Sequence, residues 1–579
     1  MDPVVPDTPL SRRALLGAVT AGTVAAGAGC LSGVRTFLRG EPVDEFTLSV
    51  ASVDESSDPQ AASVAAILER ALETAGMTVD RTTHSREEFF RRILVDHEFD
   101  LFVWRTPPVR DPAVLYEALH TRFADEAGLQ NPYGFTNATF ESTLDRLRAA
   151  SDGDRRRETR RTLESFADNQ PFTPLCRPTA SHLSNTDRFA GVGRYPLEER
   201  YAYLDIEPVD DAETLTMVTT DPDVTRSFNP LGIDRPHWNY PTETLLYDSL
   251  ATAADDTLVP WLAAEWNWSD GAATVTLRAT DWHDGDTVTA SDVAFTYDFL
   301  TDTTAGTGDV PIPAPIHRGL ASAIEAVDVL DDRRLRIVPA GGAAAAERAF
   351  TVPILPEHIW SERTDRTGFF EVDSPGGTTR AIATDNVAPV GSGLFEYVSH
   401  TAGQRLELRR NDEHFSTTET DQSASIARIV VTVADDSGAA IDDVRSGRAD
   451  VTLSALAPTF ADSYAPADPF VVHRRPSGSI YAVGYNTRSA PLSSPYVRRT
   501  VARLLDKAWL VETVFEGAAE PIASPIGDPW QPSTLAWESE DPVTPYLGED
   551  GELDVPSVRR AFEELGYGYD DEGNLLVEG

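Results

Sequence analysis

The chain has 579 residues, 93 of them acidic and 49 basic, for a formal net charge of −44. Charge of that sign repels a phosphate backbone and excludes nucleic acid as a partner, while 41% apolar residues with 40 prolines and 38 glycines exclude a disordered chain. Two cysteines, Cys30 and Cys176, exclude a disulfide framework, and the length allows two or more domains with cores of their own.

The acid is spread along the chain, and a single lysine, Lys507, stands among arginines. Together these point to a surface adapted to strong salt, where screening shortens the reach of like-charge repulsion. An ordinary acidic protein is the alternative.

At the start, Arg12-Arg13 precede a run of small apolar residues, Ala14 to Gly29, that stops at Cys30. The run is too short and too weakly apolar for a comfortable membrane span. It resembles a twin-arginine export signal ending in a lipoprotein cleavage box. Residues 1–30 are then the signal, Cys30 the lipid attachment point and 31–45 a tether at the outer face of the cytoplasmic membrane. An uncleaved anchor or a plain signal is the alternative, and either places the body outside that membrane.

Glu45 to Val50 reads as a strand. Val64, Ile67, Leu68, Ala71, Leu72 and Ala75 then follow helical spacing up to Gly76. "MTVDRTT" predicts a second strand, "REEFFRRILVDHEFD" a second helix and Asp100 to Trp104 a third strand. Strands alternating with helices over short links predict parallel pairing. A helical hairpin is expected from about Phe140 to Ala167, and a charged linker from Arg194 to Glu213. Leu215 to Thr220 opens a strand-rich stretch reaching about Val471, in which "GGAAAAE" reads as a loop. After "SIYAVGYNT", the segment "SPYVRRTVARLLDKAWLVETVF" reads as one helix, with Val497, Val501, Leu504, Leu505 and Ala508 on one face. A last helix, Pro556 to Leu565, ends at Gly566, and a turn then leads into apolar Leu575-Leu576-Val577 with no further element to receive it.

Catalytic signatures do not emerge. No His-Glu-x-x-His pair occurs, and "PVGSGLF" lacks the spacing of a nucleophile elbow. His283, Asp284 and Asp286 in "DWHDGD" read as a polar turn, because consecutive residues there point to different faces. The expectation is no enzyme, no catalytic residue, no metal and no cofactor.

"LVPWLAAEWNWSDGAATVTLRATDWHDGDTVTASDVAFTYDFL" (Leu258 to Leu300) resembles the signature of the family 5 extracellular solute-binding proteins, the dipeptide- and oligopeptide-binding class of ABC importers. "FNPLG", "TETLLYDSL", "APVGSGLFEY", "VRSGRADV" and "GYNTRSAPLSSPYVRRTVARLLDKAWLVETVF" resemble further family motifs, in order. "FTLSV" through "PFTPLCRP" resembles the family's C-terminal third, here placed first, so the sequence resembles a circularly permuted, haloarchaeal-type member. The run at Phe46 to Val50 would then supply the strand that follows the final turn.

The resemblance implies an α/β, two-lobed periplasmic-binding-protein-like (type II) fold with mixed sheets and a two-strand hinge. One lobe would span 172–480, with the joining linker 194–213 inside it. The other would combine 46–171 with 481–579, and the crossings would fall near Pro171–Pro174 and Tyr481–Asn486. It further implies a monomer that captures a peptide or similar solute between its lobes and delivers it to an ABC permease with its ATPase. An exported hydrolase or a sensory binding protein on the same scaffold is the alternative. Candidate ligand-binding residues are Tyr247, Gly391, Ser392, Gly393, Tyr485, Asn486, Trp104 and Asp111. The family's amine-binding aspartate falls at Pro108, which leaves peptide, sugar and chelate open, while Arg105 and Arg110 would suit an anionic ligand.

Overall fold

Asp44–Glu45 (β1) and Thr47–Val53 (β2) lead to helix α1 (Pro59–Thr74), then β3 (Thr78–His84), α2 (Arg86–Arg91) and β4 (Leu101–Arg105). The computed structural model describes residues 44–209, 211–232, 240–254, 257–367, 378–420, 422–463 and 468–577. The expected export signal, Cys30 and residues 31–43 of the tether lie outside that set. Helix α1 forms because Asp58 caps it, Pro59 suits its first turn, and Ala61, Val64, Ala65, Leu68, Ala71 and Leu72 bury one face. Each large member of that face contributes about 1.5–3 kcal/mol by leaving water. Strand β2 pairs in parallel with both β3 and β4, as the alternating pattern predicts.

The chain continues through α3 (Val114–Leu119), α4 (Ala138–Arg148) and α5 (Asp152–Asn169), the last two forming the expected hairpin. Strand β5 (Phe172–Asn185) is unusually long. Between β5 and β6 (Thr214–Thr219) the expected linker is instead built structure: helix α6 (Arg200–Asp205) buries Arg200, Ala202 and Tyr203. The Arg200 side chain explains its place, donating to the carbonyls of Thr244 and Tyr247 at 3.0 and 2.8 Å.

An antiparallel four-stranded sheet follows, from β7 (Ala263–Ser269), β8 (Ala272–Leu277), β9 (Ile324–Asp331) and β10 (Arg334–Pro339), in the order β7-β8-β10-β9. Helix α7 (Ala290–Thr301) lies between β8 and β9 in the chain, started by a capping box of Thr289 with Asp292. The alanine run expected as a loop is helix α8 (Ala343–Ala349), as alanine's high helix propensity allows once Ala346 and Ala349 have a core to enter.

The rest is β11 (Phe395–Thr401), β12 (Arg405–Arg410), β13 (Arg428–Val433), α9 (Ser437–Arg445), β14 (Val451–Thr452), β15 (Phe470–Pro476) and β16 (Tyr481–Tyr485). Two helices then stand where one was expected, α10 (Pro495–Ala502) and α11 (Lys507–Val514). Asp506 causes the break: its carboxylate caps α11 through the Trp509 amide and also accepts from the Gly551 amide. Last come β17 (Ala519–Pro521), α12 (Val555–Glu563), β18 (Gly568–Tyr569) and β19 (Leu575–Val577).

Twelve strands share one continuous ladder, β11-β12-β13-β6-β14-β5-β16-β4-β2-β3, with β15 and β17 also on β5. The molecule is nonetheless two lobes, because β5 changes partner along its length. Phe172 to Cys176 pair with β16, and Thr179 to Asn185 pair with β15. Residues 46–176 and 480–575 share one apolar core, joined by Ile312 and Ile382. Residues 189–453 form another. Strand β5 and the β15–β16 run are therefore the two crossings between lobes.

The described ends of the chain meet. Asp44 and Glu45 pair with Val577 and Leu576, and the Phe46 amide donates to the Leu575 carbonyl at 2.9 Å. The small sheet β1-β19-β18 thus hands the C-terminal strand to the residues directly preceding β2.

Candidate functional site

The parallel strands β2, β3 and β4 of one lobe and β6 and β13 of the other all end toward one place. In open α/β sheets the crevice beyond the carboxyl ends of strands is where ligands bind. Here it is a cavity of about 730 Å³ lined from both lobes. One wall carries Asp58, Arg86, Phe90, Trp104 and Arg105, and the facing wall carries Asp221, Arg226, Tyr240 and Ser437, while Pro178 to Ala180 of β5 and Tyr481 of β16 line it where the lobes join. Helices α1, α2 and α9 all begin at its edge, their first turns partly satisfied by Asp58, Ser85 and Asp436.

Arg86 spans the cavity, paired with Asp221 and, at 3.8 Å, with Asp223. Arg86 Nη1 meets Asp221 Oδ2 at 2.6 Å, and the Tyr240 hydroxyl donates to the same oxygen at 3.0 Å. Burial pushes the Asp221 carboxyl up, but Arg86, the Asp223 amide and Tyr240 outweigh it and hold the carboxyl below its ordinary range. Deeper in, the Tyr481 hydroxyl donates to Asp58 at 3.0 Å, and there burial prevails and raises the Asp58 carboxyl. Arg105 behaves differently from Arg86: its Nη2 donates to Ser477 Oγ at 3.0 Å and its enclosed Nε finds no acceptor.

A second set of cross-lobe contacts lies away from the cavity. Arg348 of α8 grips both oxygens of Glu117 on α3, at 2.8 and 2.9 Å. Arg318 meets Glu126 at 3.2 Å, the Leu129 amide donates to the Pro315 carbonyl at 2.8 Å, and Arg148 reaches the Ser322 carbonyl.

The candidates named from sequence scatter. Trp104 is on the cavity wall, 4% exposed, its indole N–H without an acceptor. Tyr485 is core, its hydroxyl 2.7 Å from Thr173 Oγ1. Asn486 is used structurally, its Nδ2 donating to the Phe99 carbonyl at 2.9 Å. Asp111 is held by Arg155 at 2.6 Å. Tyr247 is buried in the other core, where its hydroxyl accepts from Asn386 at 2.8 Å.

Gly391, Ser392 and Gly393 lie inside one lobe as well. The Gly391 amide donates to His283 Nδ1, the Gly393 amide to the Leu246 carbonyl at 3.0 Å, and Ser392 Oγ to Asp248. A Cβ on Gly391 would stand 1.8 Å from the Leu246 oxygen, so backbone packing accounts for the glycine. Pro108 packs on Gly478.

"DWHDGD" forms a turn, with His283 tied to the Gly391–Gly393 backbone. Asp284 and Asp286 instead gather with His358, exposed and already hydrogen-bonded to it through Asp284 at 2.9 Å. Sequence reasoning missed Arg86 and Asp221. Their signal was position: each stands directly beyond a predicted strand, where a crevice would be.

The model for "Bacterial extracellular solute-binding proteins, family 5 Middle" matches residues 257–577, more than half of the chain. Protein XP55 of Streptomyces lividans is 25% identical over 287 residues, which are 48% of this chain and 47% of that protein. The "Probable ABC transporter periplasmic-binding protein SapA" of Escherichia coli is 24% identical over 159 residues, 27% of each chain. The chain therefore spans less than half the length of these curated relatives. Among solved structures, the oligopeptide-binding protein AppA of Bacillus subtilis in complex with a nonapeptide aligns over 63% of this chain and 67% of that one, at 17% identity and a TM-score of 0.42. Among the described residues no helix is long and apolar enough to cross a membrane.

Proposed function

This chain belongs to the family 5 extracellular solute-binding proteins, and from that premise we propose that it is the cell-surface receptor of an ABC importer, capturing a peptide or similar solute in its interlobe cavity. The observation that carries the reading is the cavity itself. It is walled by strand ends from both lobes and bordered by the two strands that join them, so closing the lobes encloses whatever sits there. A hinge of this kind is shifted by a ligand that touches both walls only in the closed form. The closed form then docks on the permease, whose ATPase moves the solute.

The remaining parts of the proposal rest on sequence. Cys30 carries a lipid after twin-arginine export, holding a monomer at the outer face of the membrane. The acid-rich, lysine-poor composition serves strong salt. The order of the lobes is a circular permutation, a reading supported by the pairing of Asp44–Glu45 with Leu576–Val577, since joined ends are what a rearranged gene requires.

The test is the solute. Mass spectrometry of full-length protein purified under mild conditions should find a co-purified small molecule. Adding it back to stripped protein should shift Tm and compact the molecule in X-ray scattering, with stabilisation of about 2.7 kcal/mol at a hundredfold excess over Kd. Finding no co-purified solute, and no shift from peptides, sugars or chelates, would remove the proposal.

A further inference from the structure

Alternation predicts that the polar groups of "DWHDGD" point apart, and only His283 does so. Asp284 and Asp286, together with His358, bring two carboxylate oxygens and an imidazole nitrogen within 4.8 Å of one another. His358 Nε2 stands 2.9 Å from Asp284 Oδ2 and 3.7 Å from Asp286 Oδ2. Donors about 2.1 Å from a shared tetrahedral or octahedral ion stand about 3.0–3.4 Å from each other, so small side-chain rotations turn this spacing into a coordination set.

Two elements fix the donors independently. In the turn, the Trp282 amide donates to the Asp286 carbonyl at 2.7 Å and the Gly285 amide to the Trp282 carbonyl at 2.8 Å. Gly285, at φ +95°, lets the backbone reverse between the two aspartates, and Trp282 roots the turn in the core. His358 arrives from the short helix Glu357–Trp360. The Glu357 amide donates to Asp292 Oδ1 at 3.0 Å, and Trp360 enters the same core as Trp282. The charge around the trio is one-sided. Among the described residues no arginine or lysine lies within ion-pair distance of Asp284 or Asp286, and His358 is their shared partner. A neutral imidazole donates one N–H to one carboxylate at a time, whereas a dication attracts both.

We propose that Asp284, Asp286 and His358 bind one divalent cation of the zinc class, which clips the turn to the helix Glu357–Trp360. None of the three lines the interlobe cavity, so the site is independent of solute capture. The imidazole selects the class. Magnesium and calcium take oxygen donors, whereas zinc, cobalt and nickel accept an imidazole nitrogen beside carboxylates. The three side chains are exposed, so water completes the shell and the ion exchanges with solvent. Both clipped elements belong to the lobe of residues 189–453, which the bound ion stabilises by mass action.

Isothermal titration of the untagged full chain, stripped with chelator and dialysed, tests the site with zinc chloride as the probe. Repeating it in about a hundredfold excess of magnesium chloride occupies carboxylates that bind any dication. Wild type should take up one zinc ion per chain, with an affinity that magnesium changes by no more than about twofold. His358→Ala and Asp286→Asn, both at exposed positions, should each weaken zinc at least about tenfold, while thermal melts of the zinc-free variants match wild type. Saturating zinc should raise the Tm of wild type and leave that of His358→Ala unchanged. Cobalt(II) should give visible absorption bands in wild type that His358→Ala loses. Absence of zinc uptake, uptake that survives in His358→Ala, or displacement of zinc by magnesium overturns the assignment, the last marking the trio as an acidic patch only.

Discussion

The two lobes are built on opposite plans. The core of residues 189–453 is one uninterrupted stretch of chain, whereas the core of 46–176 needs residues 480–575 to complete it. In the first, the buried Asp248 gathers Trp261 Nε1 at 2.6 Å, Ser392 and His414, all from the same stretch. In the second, the stitches are long-range: β16 lies between β4 and β5, and Arg498 of α10 donates to the carbonyls of Gln170, Asn169 and Leu492 at 2.8, 2.6 and 2.6 Å. Loop closure must precede such contacts, and the separations differ: Arg498 reaches Gln170 and Asn169 across 328 and 329 residues, whereas the Asp248 contacts close 13, 144 and 166.

The most damaging way to probe that contrast is at Arg498, 1% exposed, its guanidinium lowered by burial to about 10 and still charged at neutral pH. Arg498→Met strands three carbonyls, and we expect a loss of about 4 kcal/mol in urea unfolding. Limited proteolysis should show the cuts falling in 46–176 and 480–577 while 189–453 stays protected; equal cutting of both lobes would erase the distinction.

A smaller effect is expected at Lys507, whose Nζ meets Asp541 Oδ2 at 2.5 Å in the same stitched lobe. Lys507→Met removes the charge partner of a buried carboxylate that keeps the Val543 and Thr544 donors and should cost about 3 kcal/mol, and Asp541→Leu, which strips those donors as well, should cost at least as much. A double variant whose loss equals the sum of the two single losses would show that the pair is not a clamp.

Smallest is the tie between the lobes. The folded Asp221 carboxyl titrates below its unfolded value, so its contribution is complete above about pH 4 and is lost as pH falls through the folded value. Asp221→Asn should shift the lobe equilibrium toward open by about 1–2 kcal/mol at pH 7, seen as a larger radius of gyration. Wild type should open as pH falls below about 4, and Asp221→Asn should lack that step. An unchanged radius would place closure with Glu117–Arg348 instead.

Much of this architecture can be read from periodicity. The strand–helix alternation of 45–105 and the hairpin near 140–167 have local signals, because a buried face repeats every few residues, whereas the mixed two-lobed class was legible only through the family resemblance. The site was less legible. Tyr247, Tyr485 and the Gly391–Gly393 turn look like binding groups in one dimension, yet each is spent on its own core or backbone. Arg86 and Asp221 stand far apart in the chain, and only folding makes them partners. The alanine helix and α6 were hidden for a related reason: each is short, and the core that Ala346 and Ala349 or Ala202 and Tyr203 enter, with the partners Arg348 and Arg200 reach, exists only after folding.

Lys507 also gives this protein a built-in reporter. It is the sequence's sole ε-amine and is 3% exposed, so amine-reactive labels should leave every side chain of the native body untouched. Acylation at that one position then times the opening of the stitched half, residue by residue unambiguous, without engineering a probe.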